Sequence, residues 1–210
     1  MIPILSILIA SLPERENIFS YLLSKLLIQQ DDLDTFHSTL GSVELITDDS
    51  KSFLNGGLSI GKKRESLVKR ATGKYLCFCD DDETIAPNYL ETLVRLCQQD
   101  KDVCTFKALF KDDNYWSVID MSIYYNDEEA TPEREVKRNL WQVCPIRSSI
   151  AKKHSFPDIN YDEDTRWLEK VRVDVKSEAK TNAILLQYNH SSKTSESDKI
   201  ARHEAIFPKP

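Results

Sequence analysis

The segment Tyr75-Leu76-Cys77-Phe78-Cys79, opened by Gly73 and closed by Asp80-Asp81-Asp82, constrains this chain more than any other stretch. Apolar and aromatic residues in an unbroken run read as a strand buried on both faces, which requires a sheet covered by helices on either side. Carboxylates stacked at the end of such a strand repel one another unless a cation or solvent compensates them. Hard cations such as Mg²⁺ and Mn²⁺ favour oxygen ligands, and open α/β sheets bind ligands beyond the carboxyl ends of their strands. The run therefore marks a candidate metal-and-phosphate site. A solvated acidic turn is the competing reading of the aspartates taken alone.

The flanking sequence supplies the helices that such a strand needs. Residues 4–10 read as a strand, and residues 17–29 as a helix with apolar positions 18, 19, 22, 23, 26 and 27 on one face. A second strand over 43–47 ends in Asp48-Asp49-Ser50, and Asn55-Gly56-Gly57 marks a turn. Residues 60–71 read as a helix closed by Gly73. Beyond the aspartates, Pro87 suits a first helical turn, with Leu90, Leu93, Val94 and Cys97 as its buried face. This alternation predicts an α/β fold with a mainly parallel sheet. The second half is less regular. Residues 103–110 and 115–121 read as a hairpin, 126–135 as a polar mobile loop, and 141–146 and 183–188 as strands flanking a helix centred on Trp167. Residues 191–197 read as a polar lid.

With 210 residues the chain can bury a full core, and one domain over 1–210 is expected. Its net charge of −6 argues against nucleic acid, whose phosphates demand a basic surface. Residues 1–12 lack a basic leader and are too short to span a bilayer, so no membrane span is expected. Cys77, Cys79, Cys97, Cys104 and Cys144 are odd in number and lie mostly in apolar runs. They read as buried thiols of a reducing compartment, which points to the cytoplasm.

Gly61-Lys62-Lys63-Arg64, Ala71-Thr72-Gly73-Lys74-Tyr75, Asp80-Asp81-Asp82-Glu83 and Pro87-x-x-Leu90 follow one another in the order and spacing of a known block. In it the chain resembles the inverting glycosyltransferases of family 2, over about residues 4–190. The resemblance implies a GT-A (Rossmann-like) fold, a three-layer α/β/α arrangement with a mainly parallel mixed sheet. Residues 1–98 would form the nucleotide-sugar-binding half and residues 99–210 the half that carries acceptor and catalytic base. The implied reaction is metal-dependent, inverting transfer of a sugar from a nucleotide diphosphate, with a UDP-sugar favoured, to a hydroxyl of a glycan or glycoprotein. A further likeness to chlorella-virus glycosyltransferases implies a viral coat glycan as the eventual target and host cytoplasm as the setting.

Carried over by position, the resemblance sets Ala10, Ser11 and Leu12 against the nucleotide base. Leu12-Pro13-Glu14-Arg15 stands where the family often has a Tyr-Asn pair, and Arg15 is then placed to reach a phosphate. Asp49 would recognise the base, and Arg64 would lie near the nucleotide. Asp81 would meet the ribose and Asp82 would ligate Mn²⁺ or Mg²⁺, with Asp80 supporting either role. Glu163-Asp164 resembles the family's "ED" element, which makes Asp164 the general base. His190 would be a third metal or diphosphate contact. Each has a plainer reading: a turn at Asp48-Asp49-Ser50, a solvated helix face at Arg64, an acidic helix cap at Glu163-Asp164, a structural histidine at His190.

Two other functions compete. Asp80-x-Asp82-x-Thr84 after an apolar strand fits the nucleophile motif of haloacid-dehalogenase-type phosphatases, although two strand–helix units precede it and no later Gly-Asp-x-x-x-Asp motif follows. A module that binds nucleotide sugar without turnover is the other.

Overall fold

The computed structural model describes residues 2–132 and 134–189. Its strands are β1 (Leu5–Ala10), β2 (Val43–Asp48), β3 (Tyr75–Phe78), β4 (Thr84–Ile85), β5 (Val103–Lys111), β6 (Trp116–Met121), β7 (Glu135–Arg138), β8 (Ile146–Arg147) and β9 (Glu178–Asn189). Its α-helices are α1 (Glu16–Phe36), α2 (Ile60–Arg70), α3 (Tyr89–Cys97), α4 (Ser148–Ala151) and α5 (Glu163–Asp174). The strands form a single mixed sheet in the order β2-β1-β3-β8-β5-β6-β7, with β9 against β5 and β4 against β9. Parallel ladders carry more of the paired positions than antiparallel ones. Because β8 runs antiparallel to both β3 and β5, the carboxyl ends of β1, β2, β3, β5 and β9 share one edge.

The run from Tyr75 to Cys79 is buried throughout, as a strand covered on both faces must be. Alternation along β3 separates the two helical layers. Phe78 meets Phe156 and Trp167 edge-on, with ring centroids 5.6 Å and 6.1 Å away, on the side of α2 and α5. Cys77 faces the Tyr89 hydroxyl of α3, which packs with α1 on the other side. All five cysteines are buried free thiols.

Several boundaries differ from expectation. Helix α1 runs to Phe36 instead of position 29, because Leu33 falls on the same stripe as Leu22 and Leu26 and is buried with them. Residues 141–146 are not a strand. The Cys144 amide donates to the Trp141 carbonyl at 3.0 Å, closing a turn, and Pro145 has no N–H for a ladder, so pairing begins only at Ile146. The polar stretch 126–135 is stitched to the chain beyond it: the Glu128 amide donates to Lys137 O at 2.9 Å and the Asn139 amide to Asp127 Oδ1 at 2.8 Å. Its last residue opens β7, parallel to β6. The 103–121 hairpin forms as expected. Among the described residues no helix is long and apolar enough to cross a membrane. His190 and the expected lid at 191–197 lie outside the described residues.

Candidate active site

The shared carboxyl edge of the strands gathers most of the expected residues. Ala10 ends β1 in register with Asp48, and the Ser11 amide donates to Asp48 O at 2.8 Å. Ser11 Oγ donates to Asp81 Oδ2 at 2.6 Å inside the protein. After Leu12, a single 3₁₀ turn over Pro13–Arg15 swings Arg15 back over the acidic run. Its Nη2 lies 2.8 Å from Asp81 Oδ1 and 2.6 Å from Asp82 Oδ2. Asp81 is thus held from two sides, whereas the Asp82 side chain remains 42% exposed. Asp49 is exposed at the end of β2.

Lys63 takes part although its sequence position gave it no role. It is 2% exposed, and its Nζ donates to Ser11 O at 3.0 Å and to Ser50 O. It thereby ties the loop after β1 to the loop after β2. Burial lowers its pKa, opposed by Asp48, Asp49, Glu14 and Asp81. Helical spacing held the signal: Ile60, Lys63, Arg64, Leu67 and Val68 fall on one face of α2, and that face turns inward.

Arg64 does not sit on a solvated face. Its side chain is 7% exposed, and its guanidinium caps the Phe78 ring at 5.3 Å. Nη2 lies 3.3 Å from Asp80 Oδ1, Nε 3.4 Å from Glu163 Oε1 and Nη1 3.5 Å from Asp164 Oδ2. Burial alone would lower its pKa, but Asp80, Glu163, Asp164 and Glu83 more than offset this and raise it. One cation therefore joins the acidic run after β3 to the acidic start of α5.

The start of α5 is brought there by the segment before it, which is bonded to the start of α2. Ser59 Oγ donates to Asp158 Oδ1 at 2.6 Å, the Ile60 amide to Asn160 Oδ1 at 3.2 Å and the Gly61 amide to Ile159 O at 3.1 Å. A Cβ on Gly61 would fall 1.9 Å from Pro157 O, so only glycine allows this approach. Asp162 then takes a left-handed conformation, φ 64°, which aspartate tolerates better than most residues. The Asp164 carboxylate accepts from the Thr165 amide at 2.8 Å.

Burial raises the pKa of Asp80, Asp81, Glu83 and Glu163, with Asp81 pushed up to about 6 and Glu83 well above the usual carboxylate range. Glu83 was part of the sequence block but carried no role. Its Oε2 accepts from the Asp80 amide at 3.0 Å, while Oε1 is buried with no hydrogen-bond partner. From the far side of the run, Asn189 Nδ2 donates to Asp82 O at 2.7 Å, and Tyr188 stands within electrostatic reach of Asp80, Glu83, Asp82 and Asp164.

Among the described residues no group of three His, Cys, Asp or Glu side chains is arranged to hold a metal ion. The donors do suit a different mode. Mg²⁺ is commonly held by one or two carboxylates and completed by substrate phosphate oxygens. An exposed Asp82 beside Asp80, both hard oxygen donors, fits an ion that arrives with a diphosphate.

Residues 53–153 match the family model Glycosyl transferase family 2. EpsH of Bacillus subtilis (strain 168), a putative glycosyltransferase, is 29% identical over 107 residues, which cover 47% of this chain and 31% of EpsH. The crystal structure of S. aureus TarS superposes with a TM-score of 0.61 at 16% identity, covering 97% of this chain and 40% of TarS. TarS 1-349 in complex with UDP-GlcNAc gives a TM-score of 0.58 at 15% identity, covering 89% of this chain and 58% of that one. The chain thus spans less than two thirds of each of these relatives. It has a GT-A fold, and its residues 53–153, from the turn before α2 to just past α4, match Glycosyl transferase family 2.

Proposed function

We propose that this chain is an inverting glycosyltransferase that moves a sugar from a nucleotide diphosphate, with a UDP-sugar as donor, to a hydroxyl of a glycan or glycoprotein. The observation that carries the reading is Arg64, which holds Asp80 on one side and Glu163 and Asp164 on the other. It draws two acidic elements, distant in sequence, into one site, as a donor centre and a general base must be. A UDP donor is supported by TarS 1-349, whose structure holds UDP-GlcNAc.

In this reading Ala10, Ser11, Leu12 and Asp49 receive the nucleoside, and Lys63 fixes the spacing of their two loops. Asp81 meets the ribose, and Arg15 moves from Asp81 and Asp82 to the diphosphate. Asp82, with Asp80 in support and His190 as a further ligand, would hold Mn²⁺ or Mg²⁺, which when bound supplies Lewis-acid stabilisation of the leaving diphosphate. Asp164 accepts the proton of the acceptor hydroxyl as that oxygen bonds to C1. The bond from C1 to the β-phosphate oxygen breaks, its electron pair leaves with UDP, and a single displacement inverts the anomeric centre. Arg64 would keep Asp164 oriented, with charge that a buried cation provides without solvent reorganisation.

A haloacid-dehalogenase-type phosphatase carries its nucleophile on the strand that opens the fold, whereas here β1, α1, β2 and α2 precede β3 and its aspartates. The viral glycan acceptor and host cytoplasm rest on the sequence resemblance alone. The test is a thermal-shift panel of UDP, GDP, dTDP and their sugars, each with Mn²⁺ or EDTA. Stabilisation by UDP that needs Mn²⁺ is the expected result, and equal stabilisation with and without metal would remove the metal from the reading.

A further inference from the structure

Beyond the acidic run, away from the nucleoside side, stands a group of aromatic rings to which the reaction above gives no part. Phe110 and Tyr188 are register neighbours on β5 and β9, and their rings stack with centroids 5.8 Å apart at 19°. Tyr115 lies 5.9 Å from Phe110, and Trp141 lies 5.7 Å from Tyr188 at 57°. All four side chains are half-buried, and Phe110, Trp141 and Tyr188 rest on the edge of the hydrophobic core. The turn that replaces the expected strand at 141–146 is what sets Trp141 there.

Their position is set by strand order. In the sequence β2-β1-β3-β8-β5, the loops after β1 and β2 lie on one side of the acidic run that ends β3. The carboxyl ends of β5 and β9 lie on the other, and Asn189, next to Tyr188, is bonded to the Asp82 carbonyl. The loops assigned to the nucleoside and the aromatic group therefore flank the acidic centre from opposite sides. A pyranose ring has an apolar C–H face and a rim of hydroxyls. A half-buried aromatic face beside carboxylates complements both: the rings take the C–H face and the carboxylates accept from the hydroxyls.

We propose that Trp141 and Tyr188, backed by Phe110, form the subsite for a pyranose ring of the acceptor, holding it so that one hydroxyl faces Asp164. This assignment rests on the glycosyltransferase reading and adds that the acceptor presents a sugar, not a peptide side chain, at the point of attack.

The experiment uses the full chain saturated with UDP and Mn²⁺ and a panel of methyl pyranosides of glucose, galactose, mannose and N-acetylglucosamine. Saturation-transfer NMR should show at least one of them receiving magnetisation at its ring C–H protons. Trp141→Leu keeps apolar bulk but removes the aromatic face, and should weaken that pyranoside ~10-fold, while Trp141→Phe should keep most of the affinity. UDP affinity, measured by calorimetry on the same folded variants, should stay within ~2-fold of the parent. If UDP binds but no pyranoside receives saturation, or Trp141→Leu binds the pyranoside as the parent does, the subsite is overturned and the donor reading stands. If the parent binds no UDP, the donor reading falls and the subsite falls with it.

Discussion

Glu44 and the carboxylates of the acidic centre are treated in opposite ways. Glu44, on β2, accepts from Ser6 Oγ at 2.5 Å, from the Thr72 amide at 2.5 Å, from Thr72 Oγ1 at 2.9 Å and from the Gly73 amide at 2.9 Å. Burial pushes its pKa up, but these donors win and lower it. At the acidic centre the balance reverses: Asp80, Asp81, Glu83 and Glu163 are raised, and one oxygen of Glu83 has no partner. Glu44 closes the junction between β1, β2 and the Thr72-Gly73 turn, and its anion is fully satisfied there. The acidic centre holds carboxyls whose charged form its own protein groups compensate only in part, so burial favours the proton on Glu83, while the exposed Asp82 suits a cation from outside.

The sharpest way to break this comparison is to remove the more deeply buried of the two arginines that pair with the acidic centre. Arg64→Met should destabilise the protein by ~3–5 kcal/mol, because it leaves Asp80, Glu163 and Asp164 uncompensated. Urea unfolding at neutral pH measures this, and a loss much below that range would mean that the carboxylates do not depend on Arg64. Next in size, Asp164→Asn should cut transfer by ~10²-fold or more while UDP affinity and donor KM barely change. An active Asp164→Asn, or product with the donor's anomeric configuration, would remove this residue as base.

Asp82→Asn probes the proposed metal ion. With UDP at ~100 times Kd, the parent should gain ~2.7 kcal/mol, and the variant should lose the Mn²⁺-dependent part of that gain. The smallest effect belongs to Glu44→Gln, at ~1–2 kcal/mol, since the amide cannot accept all the donors that meet the carboxylate. Its pH dependence has a definite sign. A carboxylate whose folded pKa is lowered contributes stability above its unfolded value of about 4.3, and loses it as pH falls through the folded pKa. The gap between parent and Glu44→Gln should hold from neutral pH to about 5 and close below about 4. The acidic centre runs the other way. Raised pKa values mean that the folded state binds protons more tightly, so donor-free stability should fall as pH rises from about 4 through about 6. Denaturation midpoints that rise across that window in the absence of donor would contradict it.

Much of the fold was legible because it rests on local pattern. The apolar run of β3, the amphipathic stripe of α3 and the β5–β6 hairpin are each encoded within a short window. The stretch 141–146 was not, since its apolar residues suit a strand or a buried turn equally, and only the neighbouring chain decides between them. The site divides in the same way. Asp80, Asp81, Asp82, Glu163 and Asp164 were readable as motifs. Lys63 was masked by Lys62 and Arg64 beside it, a run of three cations that reads as solvated.

The sequence by itself determined the strand–helix order, the acidic run at the end of a doubly buried strand, and the acidic start of α5, because each depends on residues close in the chain. The tertiary structure decided what those pieces meet. Strand order sets the loops after β1 and β2 on one side of the acidic run and the Trp141–Tyr188 rings on the other. The bonds between the start of α2 and residues 158–160 bring Asp164 to Arg64. Such meetings join residues far apart in sequence, and their geometry is fixed by sheet pairing and helix packing, which no local window of residues encodes.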